Sequence, residues 1–482
     1  MTLSPPVVRG YFYGYLFMAL IQAKKDLTRG SMTGNLLTFA VPFLLANLFQ
    51  ALYAAVDLWV VGKFGGGKIG TAAVSNGGEV MHLVMSFLMG LTTGATVLIG
   101  QYFGAGDKRN TNRSIAMTLL LSLAVGIALT AFMVPFTPVL TKLLNVPAEA
   151  VPQTIEYMRI SAWGIVFIVG YNALSAIFRG FGNSTAPLFF VGIACAINVI
   201  GDLLLVAWLD MGPAGAAYAT IASQALSMIF ALIYLKCGNF GFKFALPYFK
   251  PVWGLAWKYI KVGVPIGLQG ILISLSFVLI ISIVNEMGGD DSATAAAYGI
   301  VNRINGFTFL PAVSFSMAMA ALTAQNIGAG KPVRAVKTLT LAITYTMLVG
   351  IFSLALLQLI PEKLIAIFID RDSAGADEVI RQGALYARSF SWEYILVPVV
   401  FCTNGFFNGC GRAFFSMSNN LIFTFLVRVP VSLYFSRMDG ATLYHVGFAA
   451  PLASFSSNIV ALIYLFSGRW KTPRKKKELP QK

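Results

Sequence analysis

Charge is what this chain has least of. Only 11% of its 482 residues are Asp, Glu, Lys or Arg, against about 25% in soluble domains. A soluble fold of this length needs more charge to cover its surface, so that class is excluded. Cysteine is scarce as well. Cys195, Cys237, Cys402 and Cys410 lie far apart or in apolar segments, with no CxxC, and His82 and His445 are remote from each other. Neither a disulfide framework nor a zinc site is supported. Acids are rarer than bases: 19 Asp plus Glu against 35 Lys plus Arg, a net charge of +16. What the chain does have is apolar surface. It is 57% hydrophobic with a mean hydropathy of +0.75. The composition is that of an all-α, multi-pass integral membrane protein. Barrel strands would be shorter and would alternate. The basic excess is better explained by cytoplasmic loops than by a nucleic-acid partner, and none is expected.

Apolar stretches of spanning length recur about twelve times. They start near Leu36, Thr71, Ser114, Tyr157, Ser184, Ala214, Trp257, Thr294, Ala335, Arg381, Phe414 and His445. Tyr11–Gln22 is apolar but too short to span and reads as interfacial. A cleaved signal peptide is not expected. Bases alternate from loop to loop. Lys24, Lys25 and Arg29 share a side with Lys108, Arg109 and Arg113. Lys236, Lys243, Lys250, Lys258 and Lys261 join them, as do Lys331, Arg334 and Lys337 and the tail Arg469, Lys471, Arg474, Lys475, Lys476 and Lys477. The opposite loops hold Asp290, Asp291, Asp370, Asp372, Asp377 and Glu378. Both termini are expected in the cytoplasm of a cell whose inner (plasma) membrane holds the chain.

The two halves repeat. Pro42 pairs with Pro265, and Gln101-Tyr-Phe-Gly-Ala-Gly106 with Gln325-Asn-Ile-Gly-Ala-Gly330. Phe178-Arg-Gly-Phe-Gly182 pairs with Phe407-Asn-Gly-Cys-Gly411, and Gly215 with Gly447. The anchors stay in order and the offset drifts slowly. An even number of spans separates the copies, so the lobes are parallel repeats related by an axis along the membrane normal. The expected organisation is an N-terminal extension over 1–30, an N-lobe over 31–240, a cytoplasmic linker over 241–256, a C-lobe over 257–468 and a basic tail over 469–482. The Gly-Ala-Gly and Gly-x-Gly turns at span ends read as structural.

Ionisable groups at membrane depth are functional candidates. Gln50, Tyr53 and Asp57 share one helix face by their spacing of three and four. Asn198 and Asp202 share another, and Thr220 follows early in the next span. At a rise of about 1.5 Å per residue, Asp57, Asp202 and Thr220 all fall roughly 6–10 Å below the outer span ends. Oxygen ligands at one level from three segments suit a small cation, either a proton shared by carboxylates or a sodium ion. The alternative is a set of structural caps near the interface. The repeat places Ile280 opposite Asp57 and Val431 opposite Asp202, so a coupling site belongs to the first lobe alone. Glu79, Arg303, Glu393 and Arg428 are the other membrane-depth charges. Glu79 and Arg303 are repeat partners that could meet across a cleft.

Two motifs fail. Gly62-Lys-Phe-Gly-Gly-Gly67-Lys68 approaches a phosphate-binding loop, but Ile69 stands where Ser or Thr would reach magnesium. An intramembrane aspartyl protease would need glycine at Val199. No catalytic residues, and so no enzyme, are expected.

Taken together, Phe39-Ala-Val-Pro42, Tyr53-Ala-Ala-Val-Asp57, Gly100-Gln-Tyr-Phe-Gly-Ala-Gly106, Phe178-Arg-Gly-Phe-Gly-Asn-Ser184 and Gly215-Ala-Ala-Tyr-Ala-Thr-Ile-Ala-Ser-Gln224 resemble the multidrug and toxic compound extrusion (MATE) family of the MOP superfamily. The resemblance covers roughly Asp26 to Gly468. It implies a V-shaped pair of six-helix lobes and alternating access. It also implies export of small organic, often cationic, compounds in exchange for H+ or Na+, by a monomer in the lipid bilayer without a cofactor. In the prokaryotic branch similar to DNA-damage-inducible protein F (DinF-like), an acidic first-lobe site matches Asp57, Asn198, Asp202 and Thr220, where Na+ would sit. Gln50 and Tyr53 match lining positions, and Glu79 and Arg303 join the substrate cavity as candidates. The NorM-like branch uses second-lobe acids. Ile280 is apolar here, which speaks against that mode, while Glu393 leaves it open. The alternative function is a lipid-linked oligosaccharide flippase of the same superfamily.

Overall fold

A computed structural model describes residues 24–238, 240–242, 245–289, 292–369 and 375–471. Tyr11–Gln22, Lys243, Asp290, Asp291, Asp370, Asp372 and the tail from Arg474 onward lie outside the described residues. Those described form helices and connecting turns, as apolar sequence demands: in lipid a helix satisfies its own backbone. Eleven helices are long and apolar enough to cross a membrane. They are α1 (Met32–Phe64), α2 (Gly67–Gly104), α3 (Lys108–Leu143), α4 (Val151–Gly180), α5 (Thr185–Trp208), α6 (Gly212–Cys237), α7 (Trp253–Gly288), α8 (Ala293–Gly328), α9 (Pro332–Leu359), α12 (Ala413–Ser436) and α13 (Leu443–Phe466). A bent pair, α10 (Ala376–Phe390) and α11 (Glu393–Gly409), makes the twelfth, with a 51° angle at the break.

Counted as one span, the bent pair brings the described residues to twelve, in line with the expected number of about twelve, with the tenth broken. Around the break Tyr394 N–H bonds back to Ser391 O, a tightened turn. Pro398 follows within α11 and supplies no donor. Gly350 of α9 lies so close to the Tyr394 carbonyl that a Cβ would overlap it.

The chain divides into two compact units. The first holds residues 1–263 with 324–330, and the second holds 264–323 with 331–482. In the first, α4 is central, with 78% of its apolar window buried. Ile165, Ile168 and Val169 pack with Val60, Val61 and Leu88. Small residues allow the helices to approach. The Gly-Ala-Gly repeats show why glycine stands there. A Cβ on Gly104 would overlap the Gln325 carbonyl, and one on Gly328 would overlap the Gln101 carbonyl. The two motifs thus face each other reciprocally within the first unit. The segment before α1 also packs there: Lys25 N–H donates to Phe181 O, and Leu27 N–H to the Gln325 side chain. In the second unit Tyr298, Tyr386, Phe390 and Tyr394 form the core with Ile280 and Val284.

Candidate functional site

α1, α5 and α6 bring the first-lobe polar residues together near one end of the first unit. Asp57 lies seven residues before the end of α1, Asp202 six before the end of α5, and Thr220 eight after the start of α6. That is roughly 9–12 Å from each end at 1.5 Å per residue. Asp57 and Asn198 are buried and Asp202 is 0% exposed. The Asn198 amide donates to Thr220 Oγ1 at 3.3 Å. The Asp57 carboxyl lies close enough to Asp202 and Asn198 to interact with both. An ionised carboxylate only accepts, so two facing carboxylates cannot bond each other without a proton or cation between them.

The oxygens show this imbalance. Asp57 Oδ1, Asn198 Oδ1 and both carboxyl oxygens of Asp202 are buried and have no hydrogen-bond donor among the described residues. Buried polar atoms without partners are costly, and charged ones more so. A proton shared between the carboxyls, or a small hard cation with oxygen ligands, would satisfy this set chemically.

α5 is not a uniform helix at the site. From Leu203 to Trp208, immediately after Asp202, it continues as a π turn. Such turns carry an extra residue and are frequent at functional sites. At the same level Gly201 lets α5 approach Ala219 of α6. Nothing in the apolar run Leu203-Leu-Leu-Val-Ala-Trp208 marks the π turn in advance.

Gln50 and Tyr53 are half-buried on the α1 face that carries Asp57. Tyr157, in sequence only the start of a span, joins this group. This residue, early in α4, lies close enough to Asp57, Tyr53 and Asp202 to interact electrostatically with all three. Gly77 of α2 lies against its ring, where a Cβ would press on it. An aromatic in the first turns of a span looks like an interfacial anchor, so only the packing reveals it.

Glu79 is exposed on α2 of the first unit and Arg303 on α8 of the second. In the second unit, Ile280 is buried among Val284, Ala297 and Tyr298. Val431 is half-buried after a second π turn, Thr424–Arg428. Glu393 is buried at the α10–α11 break, where Ser454 Oγ donates to its Oε1 at 2.6 Å. The Arg428 guanidinium stacks 4.5 Å from the Phe277 ring centre.

Comparison with known proteins follows this geometry. A family model described as MatE matches the chain twice, over residues 42–204 and 265–434. "Probable multidrug resistance protein YpnP" of Bacillus subtilis is 28% identical over 449 residues, covering 92% of this chain and 97% of that protein. "Probable multidrug resistance protein YoeA" of the same organism is 26% identical, covering 94% and 96%. Among solved structures, a MOP superfamily transporter from Pyrococcus furiosus, described as having a binding pocket of reversed polarity, superposes with a TM-score of 0.86. It is 22% identical and covers 94% of this chain and all of that one. An outward-facing multidrug resistance MATE transporter gives a TM-score of 0.84 at 22% identity, over 92% and 97%. These likenesses establish the fold as that of the MOP superfamily.

Proposed function

The chain belongs to the MatE family of transporters, and from that membership we propose a secondary active multidrug efflux antiporter. It is a multi-pass membrane protein and a transporter rather than an enzyme. Its relatives' names support small organic compounds as cargo. In this reading it sits in the plasma membrane as a monomer, with both termini in the cytoplasm, and exports organic, often cationic, compounds in exchange for H+ or Na+.

One observation carries the coupling assignment: buried Asp57, Asn198 and Asp202 oxygens without donors, gathered from two spans beside Thr220. An ion entering from outside binds between Asp57 and Asp202, with Asn198 and Thr220 as further oxygen ligands when the ion is Na+. Binding removes the repulsion between the carboxylates and so changes the packing of α1 against α5 and α6. Gln50 and Tyr53, on the same α1 face, carry that change to the substrate cavity. The ion drives export only through different affinities in the outward and inward states.

The test is efflux of a fluorescent organic cation from proteoliposomes, with pH and sodium varied independently. A gradient of one ion should drive export by the parent, and Asp57→Asn should lose that drive. Export by Asp57→Asn equal to the parent's would sink the assignment. A parent that moved lipid-linked sugars and no organic cation would favour the flippase reading.

A further inference from the structure

The start of α7 carries a surface that transport does not use. Between residues 211 and 285 the sequence contains no Asp or Glu but five lysines: Lys236, Lys243, Lys250, Lys258 and Lys261. The first turns of α7 are two-faced. Leu255, Ala256 and Tyr259 are buried, and Leu255 and Ala256 pack with Met117 beside Tyr102, Leu120 and Leu121. Lys258 is occupied on that side, donating to the Tyr102 hydroxyl at 2.8 Å.

The opposite face carries Trp253, Trp257 and Lys261, at helical spacings of four, with Lys250 in the bend three residues ahead of Trp253. Trp253 is 81% exposed and Trp257 64%, and Lys250 and Lys261 are exposed at either end. Neither lysine forms an ion pair among the described residues. The wider surface is basic too: Lys24 stands close to Gly241 and within electrostatic reach of Lys108.

Length fixes where this face lies. α7 has 36 residues, about 54 Å at 1.5 Å per residue, against a hydrocarbon core of about 30 Å. Both ends therefore reach the headgroup regions: Asn285 and Glu286 are exposed at one, and Lys250 and Lys261 mark the other. Tryptophan favours that zone because its ring is apolar and its N–H is wet. A soluble partner would not require two exposed indoles at that depth.

We propose that Lys250, Trp253, Trp257 and Lys261 form a binding face for anionic phospholipid headgroups. The lysines engage the phosphates and the indoles sit among the glycerol and upper acyl groups. A basic residue near an anionic surface is worth about five-fold in affinity, so the two lysines act strongly together. The face lies on the segment joining the two repeats, so lipid bound there holds that segment at the membrane surface.

The test uses the full chain in vesicles of phosphatidylcholine, with or without one-third phosphatidylglycerol. The parent should melt several degrees higher in the anionic vesicles. Lys250→Gln/Lys261→Gln should lose most of that gain while matching the parent in pure phosphatidylcholine, and Lys250→Arg/Lys261→Arg should keep it. Should the Gln pair fail to reconstitute, native mass spectrometry of the parent reads the same property, as preferential retention of phosphatidylglycerol. An undiminished gain in the Gln pair overturns the assignment, as does the absence of lipid preference in the parent. An equal gain from inorganic phosphate in pure phosphatidylcholine would make this a free-anion site and overturn it too.

Discussion

At one level of α1, Asp57 faces Asp202 and Asn198 in a buried polar set with unsatisfied oxygens. At the repeat-equivalent level of α7, Ile280 is 2% exposed among Val284, Ala297 and Tyr298. The helices repeat but the chemistry does not. Both fifth spans of the repeat contain a π turn, Leu203–Trp208 in α5 and Thr424–Arg428 in α12. Only the first adjoins a carboxylate; the second ends at an arginine lying over Phe277. Duplication preserved what packing needs, the small residues and prolines, and left the polar positions free to diverge. Among the described residues, the second unit's buried acid Glu393 has a hydroxyl donor on Ser454 for one carboxyl oxygen and none for the other, whereas the Asp202 carboxyl has none for either.

Five perturbations would sharpen or break that contrast. The largest effect is expected from Asp202→Asn, which removes the carboxylate from the pair. Ion-driven efflux should fall to the level of empty vesicles while the melting temperature holds or rises, because an amide is cheaper to bury than a charge. Full activity in this variant would erase the distinction between the units. Next, Ile280→Asp places a lone carboxyl in an apolar cluster. It should cost roughly 2–5 kcal/mol of stability, read as a lowered melting temperature. An unchanged melting temperature would mean that the second unit can host the first unit's chemistry after all.

The third concerns the reciprocal glycines. Gly328→Ala forces a methyl onto the Gln101 carbonyl, and overpacking of this kind costs about 1–3 kcal/mol. A variant as stable as the parent would show that the close approach of the two motifs is dispensable. The smallest expected effect is that of Glu393→Gln. Transport should stay within about two-fold of the parent, since the coupling site lies in the first unit. Loss of ion-driven export here would move coupling to the second. Tyr157→Phe falls between these extremes: it should weaken the response to the ion several-fold, by removing a hydroxyl within electrostatic reach of both carboxylates.

Much of this was legible in the chain. Span number and approximate starts followed from hydropathy, because the bilayer sets a length and a composition that a helix cannot evade. The repeat followed from motifs such as Gln101–Gly106 and Gln325–Gly330, whose spacing survives divergence. Gln50, Tyr53 and Asp57 share a face by helical arithmetic alone. That Asp57 and Asp202 lie at one depth followed from counting residues from span ends.

Tertiary structure decided the rest. Tyr157 joins the acids only because α4 is central and Gly77 makes room for its ring. The π turn after Asp202 and the break before Glu393 have no signature in local hydropathy, since each depends on how neighbouring helices press on the backbone. The Gly-Ala-Gly turns read as local punctuation, yet their glycines meet residues more than two hundred positions away. The sequence determined which residues could pay the cost of burial in lipid. Which of them meet depends on contacts between distant segments, and no local pattern encodes those.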